Sequence, residues 1–175
     1  MSSLERLWAG WRAEFVATSG AAQPCERAPG GDQCVFCRIL GSGEPDSDTH
    51  VLWRHPSGLA VAVLNAYPYT SGHLMVMTCR HVGTPEDLDA RESSSLWEGL
   101  SSAVAALKAA YQPDGVNVGA NLGRAAGAGV PGHLHLHVLP RWVGDTNFMT
   151  TVANTRVLPE ALSVSAARLR EAWRR

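Results

Sequence analysis

Residues 133–137 read His-Leu-His-Leu-His, and the run continues Val-Leu-Pro-Arg. Side chains on a strand alternate between faces. A strand here therefore puts His133, His135 and His137 on one side and Leu134, Leu136 and Val138 on the other. Like-facing neighbours stand roughly 6.6–6.8 Å apart. Histidine is seldom fully buried, and three in alternation beside a glycine-rich loop (residues 119–132) make a poor core. They suit a phosphate or a metal ion.

Both chemistries fit the pattern. A neutral imidazole attacks phosphorus when one ring nitrogen keeps its lone pair and the other donates a hydrogen bond, commonly to a backbone carbonyl. His135 has a neighbour on either side and is the candidate nucleophile. His137 then stands beside the reacting phosphate, where it stabilises charge or assists the leaving oxygen. The loop from Gly123 to Gly132 offers backbone N–H groups at close approach. In the competing reading all three histidines bind a metal, as His-x-His pairs on strands do for zinc. A further match, Gly127-Ala128-Gly129-Val130-Pro131-Gly132, fits the dinucleotide fingerprint in spacing only. That fingerprint opens a helix, whereas here Pro131 and a strand follow.

Cys34 and Cys37 form a Cys-x-x-Cys pair, while Cys25 and Cys79 stand apart. In a reducing compartment such a pair points to zinc or redox chemistry rather than a structural disulfide. The two separate cysteines read as plain thiols, small and buried.

The elements that must position these residues follow from periodicity and turn signals. Leu4, Leu7, Trp8, Trp11 and Phe15 fall at helical spacing over 3–17, and a Gly/Pro/Ala-rich linker covers 18–33. Strands are predicted at 50–54, 58–64, 73–78, 116–121 and 133–139. Thr84-Pro85-Glu86-Asp87 reads as a helix start, with Thr as cap, Pro at the first position and acids in the first turn. Helical patterning runs from Ala90 to Tyr111, and a last helix covers 159–174. Strands that do not alternate with helices make an α+β fold: an antiparallel sheet with one long helix, plus N- and C-terminal helices. Three regions are expected: an N-terminal helix and linker (1–33), a compact domain (34–150) and a C-terminal tail and helix (151–175).

The chain of 175 residues is 45% hydrophobic and carries a net charge of −1. That supplies a core but gives no general attraction to nucleic acid or to acidic membranes. No stretch approaches the ~20 apolar residues of a membrane span. The N-terminus lacks the apolar core and cleavage site of a signal peptide. A cytoplasmic location is the expectation.

The triad segment, His133-Leu134-His135-Leu136-His137-Val138-Leu139, resembles the His-φ-His-φ-His-φ-φ signature of the histidine-triad (HIT) superfamily. Residues 65–76 (NAYPYTSGHLMV) are similar to the family's Asn-x-x-Pro-x-x-x-Gly-His stretch, and 117–127 (NVGANLGRAAG) to its phosphate-loop approach. The continuation 140–148 (PRWVGDTNF) looks like the branch of bacterial diadenosine tetraphosphate phosphorylases and HIT hydrolases. The resemblance implies cleavage of nucleoside polyphosphates at the α-phosphate through a nucleotidyl-histidine, by phosphorolysis or hydrolysis.

His135 would be the nucleophile, His137 would contact the scissile phosphate and His73 would stand behind it. Asn65 would hold the ribose. Asn121 and the backbone of Gly129 and Val130 would hold the α-phosphate, with Gly127 in the same loop. Many members carry Ser or Thr where this chain has Gly129, so a hydroxyl donor is missing here. The resemblance also implies a structural zinc held by Cys34, Cys37, His81 and His133, with no organic cofactor. His50 and His55 are alternatives for the fourth ligand, although both read as exposed loop histidines. A homodimer or higher homo-oligomer is implied through the helix at 90–111. Two other functions remain in view: a nucleoside phosphoramidase-type hydrolase and a nucleotide-binding protein with little turnover.

Overall fold

The computed structural model describes residues 34–145 and 160–173. The expected helix at 3–17, the linker at 18–33 and Cys25 lie outside the described residues.

Helix α1 spans Val35–Gly41. Strands β1 (Val51–Arg54), β2 (Ala60–Leu64) and β3 (Leu74–Thr78) follow, then the long helix α2 (Ala90–Tyr111). Strands β4 (Gly115–Gly119) and β5 (His135–Arg141) and a C-terminal helix α3 (Leu162–Trp173) complete the order. The five strands form one antiparallel sheet in the order β1-β2-β3-β5-β4. The fold is α+β, as the sequence pattern predicts.

Every residue of β2 and β3 is buried, so these strands read as continuous apolar runs covered on both faces. Alternation then divides their side chains. Ala62, Leu64, Leu74, Val76 and Val138 join Leu96, Leu100, Leu107, Ala166 and Leu169 in a core under α2 and α3. Val61, Val63, Met75 and Met77 face the other way and pack with Cys34 and Phe36. Met77 pairs with His135 and Met75 with His137 across β3 and β5. Directly opposed residues share a face, so both histidines stand on the methionine side, away from the long helix.

Two local features differ from expectation. Thr84 caps only a 3-10 turn over Pro85–Asp87, with its hydroxyl on the Asp87 carboxylate rather than on a helix amide. The long helix covers Ala90–Tyr111, as its patterning predicts, and starts at a capping box. The Asp89 side chain accepts from the Glu92 amide at 2.8 Å, and the Glu92 side chain accepts from the Asp89 amide at 3.0 Å. The second difference is β5, which begins at His135 and not at 133. His133 sits in the preceding turn, its amide on the Val130 carbonyl, and Leu134 bonds the Val82 carbonyl at 2.6 Å.

Two contacts fix the sheet's surroundings. Arg170 on α3 donates to the Val51 carbonyl at 2.8 and 3.1 Å and to the Asp46 carbonyl, tying α3 to the irregular start of β1. Gly72, at the entrance to β3, has φ +79, and a Cβ there would meet the Tyr111 ring at 2.7 Å. Both the backbone conformation and the space admit only glycine. No helix among the described residues is long and apolar enough to cross a membrane.

Glu92 is 4% exposed and meets Arg80 through two hydrogen bonds of 2.6 and 2.7 Å. The Arg80 hydrogen bonds hold its carboxyl down to about 2, against the cost of burial. A carboxylate with a depressed folded pKa stabilises the fold above its ordinary value and loses that contribution as pH falls toward the folded one. Stability should therefore drop between pH 4.5 and about 2 on this account. Glu92→Gln should cost about 2 kcal/mol at pH 7 and flatten the acid dependence, read by urea denaturation at both pH values.

Candidate functional site

The geometry of His135 follows from the turn before β5. Its Nδ1 lies 2.7 Å from the backbone carbonyl of His133. A carbonyl only accepts, so Nδ1 carries the proton and Nε2 keeps a lone pair. His135 is 5% exposed, and Phe36 meets its ring edge-on with centroids 5.1 Å apart. Burial pushes its pKa below the ordinary imidazole value. That favours its neutral form, with a lone pair at Nε2.

A second chain of bonds sets His137. The Tyr69 amide donates to His73 Nδ1 at 3.1 Å, so the proton of that ring is on Nε2. His73 Nε2 then donates to His137 Nδ1 at 2.9 Å. His137 is left with its proton on Nε2. Burial, followed by the neighbouring His135, brings its pKa down to about 4. The rings of His135 and His137 stand 5.1 Å apart at 79°. One thus offers a lone pair and the other an N–H, both at Nε2.

His133 serves a different centre. Its Nε2 donates to the Thr78 carbonyl at 2.8 Å, which turns Nδ1 toward sulfur. That nitrogen lies 3.5 Å from Cys34 Sγ and 3.6 Å from Cys37 Sγ, and His81 Nδ1 lies 3.2 Å from Cys37 Sγ. The ligand atoms of Cys34, Cys37, His81 and His133 all fall within 4.8 Å of one another. Burial opposes ionisation of Cys34, yet the His133 ring and the amides of Cys37 and Phe36 outweigh it and bring the thiol down to about 6. Two cysteine sulfurs and a ring nitrogen steered by a carbonyl are a donor set that fits a metal ion. The alternatives for a fourth ligand are not there. His55 bonds Ser57 at 2.7 Å and Glu98 at 3.1 Å, and neither it nor His50 is among the side chains whose ligand atoms gather there. The triad is therefore split, and a single metal held by all three histidines does not match the geometry.

The remaining candidates lie around these centres. Asn65 accepts from the Tyr67 amide at 3.0 Å, and its Nδ2 is 3.3 Å from His73 Nδ1. Asn121 reaches the Gly127 carbonyl at 3.4 Å and so spans the base of the glycine-rich loop. Gly129 is exposed, while Val130 packs on the methionine-side cluster and accepts from the His133 amide. Three contributors have no motif of their own in the sequence reading. They are Tyr69, whose ring is 4.7 Å from that of His73, Phe36, and the Thr78 carbonyl. Tyr69 stands four residues before His73, and Phe36 stands between the two cysteines. Both positions lie inside stretches already notable.

A model of the HIT domain matches residues 44–143. The AP-4-A phosphorylase of Mycobacterium tuberculosis is 38% identical over 98% of this chain and 86% of its own length. Among solved structures, a zinc-bound histidine triad family protein from Mycobacterium smegmatis superposes with TM-score 0.64 at 26% identity, covering 81% of this chain and 93% of its own. A hypothetical histidine triad nucleotide-binding protein from Sulfolobus tokodaii gives TM-score 0.65 at 25% identity, covering 81% and 92%.

The Cys/His cluster generates a direct test. Cobalt(II) titrated into the reduced protein should give sulfur-to-metal charge-transfer absorption that saturates at one equivalent. Cys37→Ser should weaken binding by on the order of 100-fold, since one of four ligands is lost.

Proposed function

The chain belongs to the HIT family and is an enzyme of that family, and from this premise we propose that it cleaves nucleoside polyphosphates, diadenosine tetraphosphate among them, at the α-phosphate through a nucleotidyl-histidine. The observation that carries this reading is the opposite protonation of two neighbouring Nε2 atoms, a lone pair on His135 and an N–H on His137. The near full-length likeness to an enzyme named for AP-4-A supports the substrate class.

In this mechanism Nε2 of His135 attacks the α-phosphorus. A nitrogen–phosphorus bond forms, and the bond from phosphorus to the bridging oxygen breaks. The nucleoside triphosphate departs with that electron pair. Positive charge grows on the imidazole as the new bond forms. The hydrogen bond from Nδ1–H to the His133 carbonyl strengthens with that charge and lowers the barrier. The N–H of His137 faces the phosphate oxygens and stabilises the charge there. His73 holds His137 in the donating tautomer. Asn65 is suited to the ribose, and the Asn121–Val130 loop to the phosphate through backbone N–H groups. With Gly129 where a hydroxyl is common, that N–H and the loop amides carry the leaving group. Inorganic phosphate or water then attacks the phosphorus, and His135 leaves as neutral imidazole.

Cys34, Cys37, His81 and His133 would hold a zinc ion, which ties their three segments together when bound. The zinc-bound family structure supports that choice of metal.

Mass spectrometry after brief exposure to diadenosine tetraphosphate should show an adenylyl group on His135. His135→Asn should abolish the adduct and slow turnover about 10^4-fold; unchanged turnover would sink the mechanism. Phosphorolysis gives ADP and ATP, while hydrolysis gives AMP and ATP, so product analysis with and without phosphate separates them. Both rings must be neutral, each with the single ring proton described, and His137 stays so until about pH 4. The acid limb of the rate profile should accordingly lie below the ordinary imidazole value of 6.5.

A further inference from the structure

The segment that brings two sulfurs to the metal cluster also brings a ring to the nucleophile. Cys34 and Cys37 flank Phe36 at the start of α1. Phe36 is buried, and its ring meets His135 edge-on at 5.1 Å and His133 at 5.4 Å. It is a wedge against both imidazoles.

The opposite constraint on His135 also starts in the cluster. Its Nδ1–H is held by the carbonyl of His133, whose own ring is tied at both nitrogens. One nitrogen faces the sulfurs of Cys34 and Cys37, and the other bonds Thr78. Sulfur is a weak hydrogen-bond partner, so these contacts of 3.5 and 3.6 Å restrain little by themselves. Coordination to one ion would join three chain segments rigidly: the start of α1, the loop carrying His81, and the turn before β5.

We propose that the Cys34–Cys37–His81–His133 cluster, when it holds a metal ion, clamps His135 in its Nδ1–H tautomer, with Phe36 as the positioning residue on one side and the His133 carbonyl on the other. An unconstrained neutral imidazole populates both tautomers, and in the Nε2–H form the reacting nitrogen has no lone pair. Metal occupancy therefore sets the fraction of the protein whose nucleophile is ready, from outside the substrate site. What His135 does with its lone pair rests on the function proposed above; the clamp itself does not.

The test is nitrogen NMR of the full chain labelled at histidine, which distinguishes protonated from unprotonated ring nitrogens. With one equivalent of Zn2+, His135 shows an unprotonated Nε2 and a protonated Nδ1. After chelation with the thiols kept reduced, the two signals move toward each other as the tautomers mix. Phe36→Ala produces the same movement while zinc stays at one per chain, and Phe36→Leu, which keeps apolar bulk, restores the single tautomer. The rate of adenylyl adduct formation falls in proportion to the remaining Nδ1–H fraction. A single Nδ1–H tautomer in both the chelated protein and the zinc-loaded Phe36→Ala variant overturns the clamp. Adduct formation at full rate in that same metal-free protein would overturn it while leaving nucleotidyl transfer intact. Tautomer mixing on chelation, with no adduct from the loaded protein, would support the clamp and overturn nucleotidyl transfer.

Discussion

One hydrogen bond, from His135 Nδ1 to the His133 carbonyl at 2.7 Å, decides what the site is able to do. It is a local contact between residues two apart, and an ideal strand does not make it. It exists because His133 stands in the turn before β5, where the backbone leaves the sheet to meet Val82 and Val130. The late start of the strand is thus what sets the tautomer of the His135 ring. Had regular pairing run through 133, its carbonyl would serve the ladder and the ring of His135 would be free to choose either tautomer.

The sheet separates the demands of stability from those of chemistry. Leucines and valines on one face pack under α2 and α3, and that face supplies most of the apolar burial. The other face carries two methionines beside two histidines and takes α1 as a partial cover. Methionine adapts to irregular neighbours, which suits a surface shared with imidazoles. Because β2 and β3 are buried on both sides, they form a rigid base for the paired strand that carries the histidines. Tyr111 extends this support to the relay, since its ring fills the space beside Gly72, one residue before His73.

Much of this was legible in the sequence because it depends on period and on residue type. The strand period gave the shared face of His135 and His137, and the apolar runs gave the central strands. Of the candidate metal ligands, Cys34 and Cys37 stood out by spacing, whereas His81 and His133 came through family resemblance, since they share no spacing rule with the cysteines. What stayed hidden depends on tertiary approach. The Thr78 carbonyl and the Tyr69 amide are backbone groups with no side-chain signature, yet they fix the protonation of His133 and His73. The long helix runs from Ala90 to Tyr111, where its patterning puts it. Thr84-Pro85 is a good opening signal but opens only a 3-10 turn, while the box formed by Asp89 and Glu92 satisfies two amides at the helix start and is reinforced by the pairing of Glu92 with Arg80.

The Arg170 contact has a consequence for how the molecule behaves among its own copies. The His50 carbonyl points toward β2, where it takes the Leu64 amide, so the next carbonyl along, that of Val51, points off the outer edge of the sheet. An uncovered acceptor there would invite an incoming strand and promote aggregation. The guanidinium of Arg170 occupies it with two donors, and the register slip beside it breaks the regular spacing that a foreign backbone would need. The last helix thereby guards the first strand against misassembly, a protective role quite separate from its share of the core.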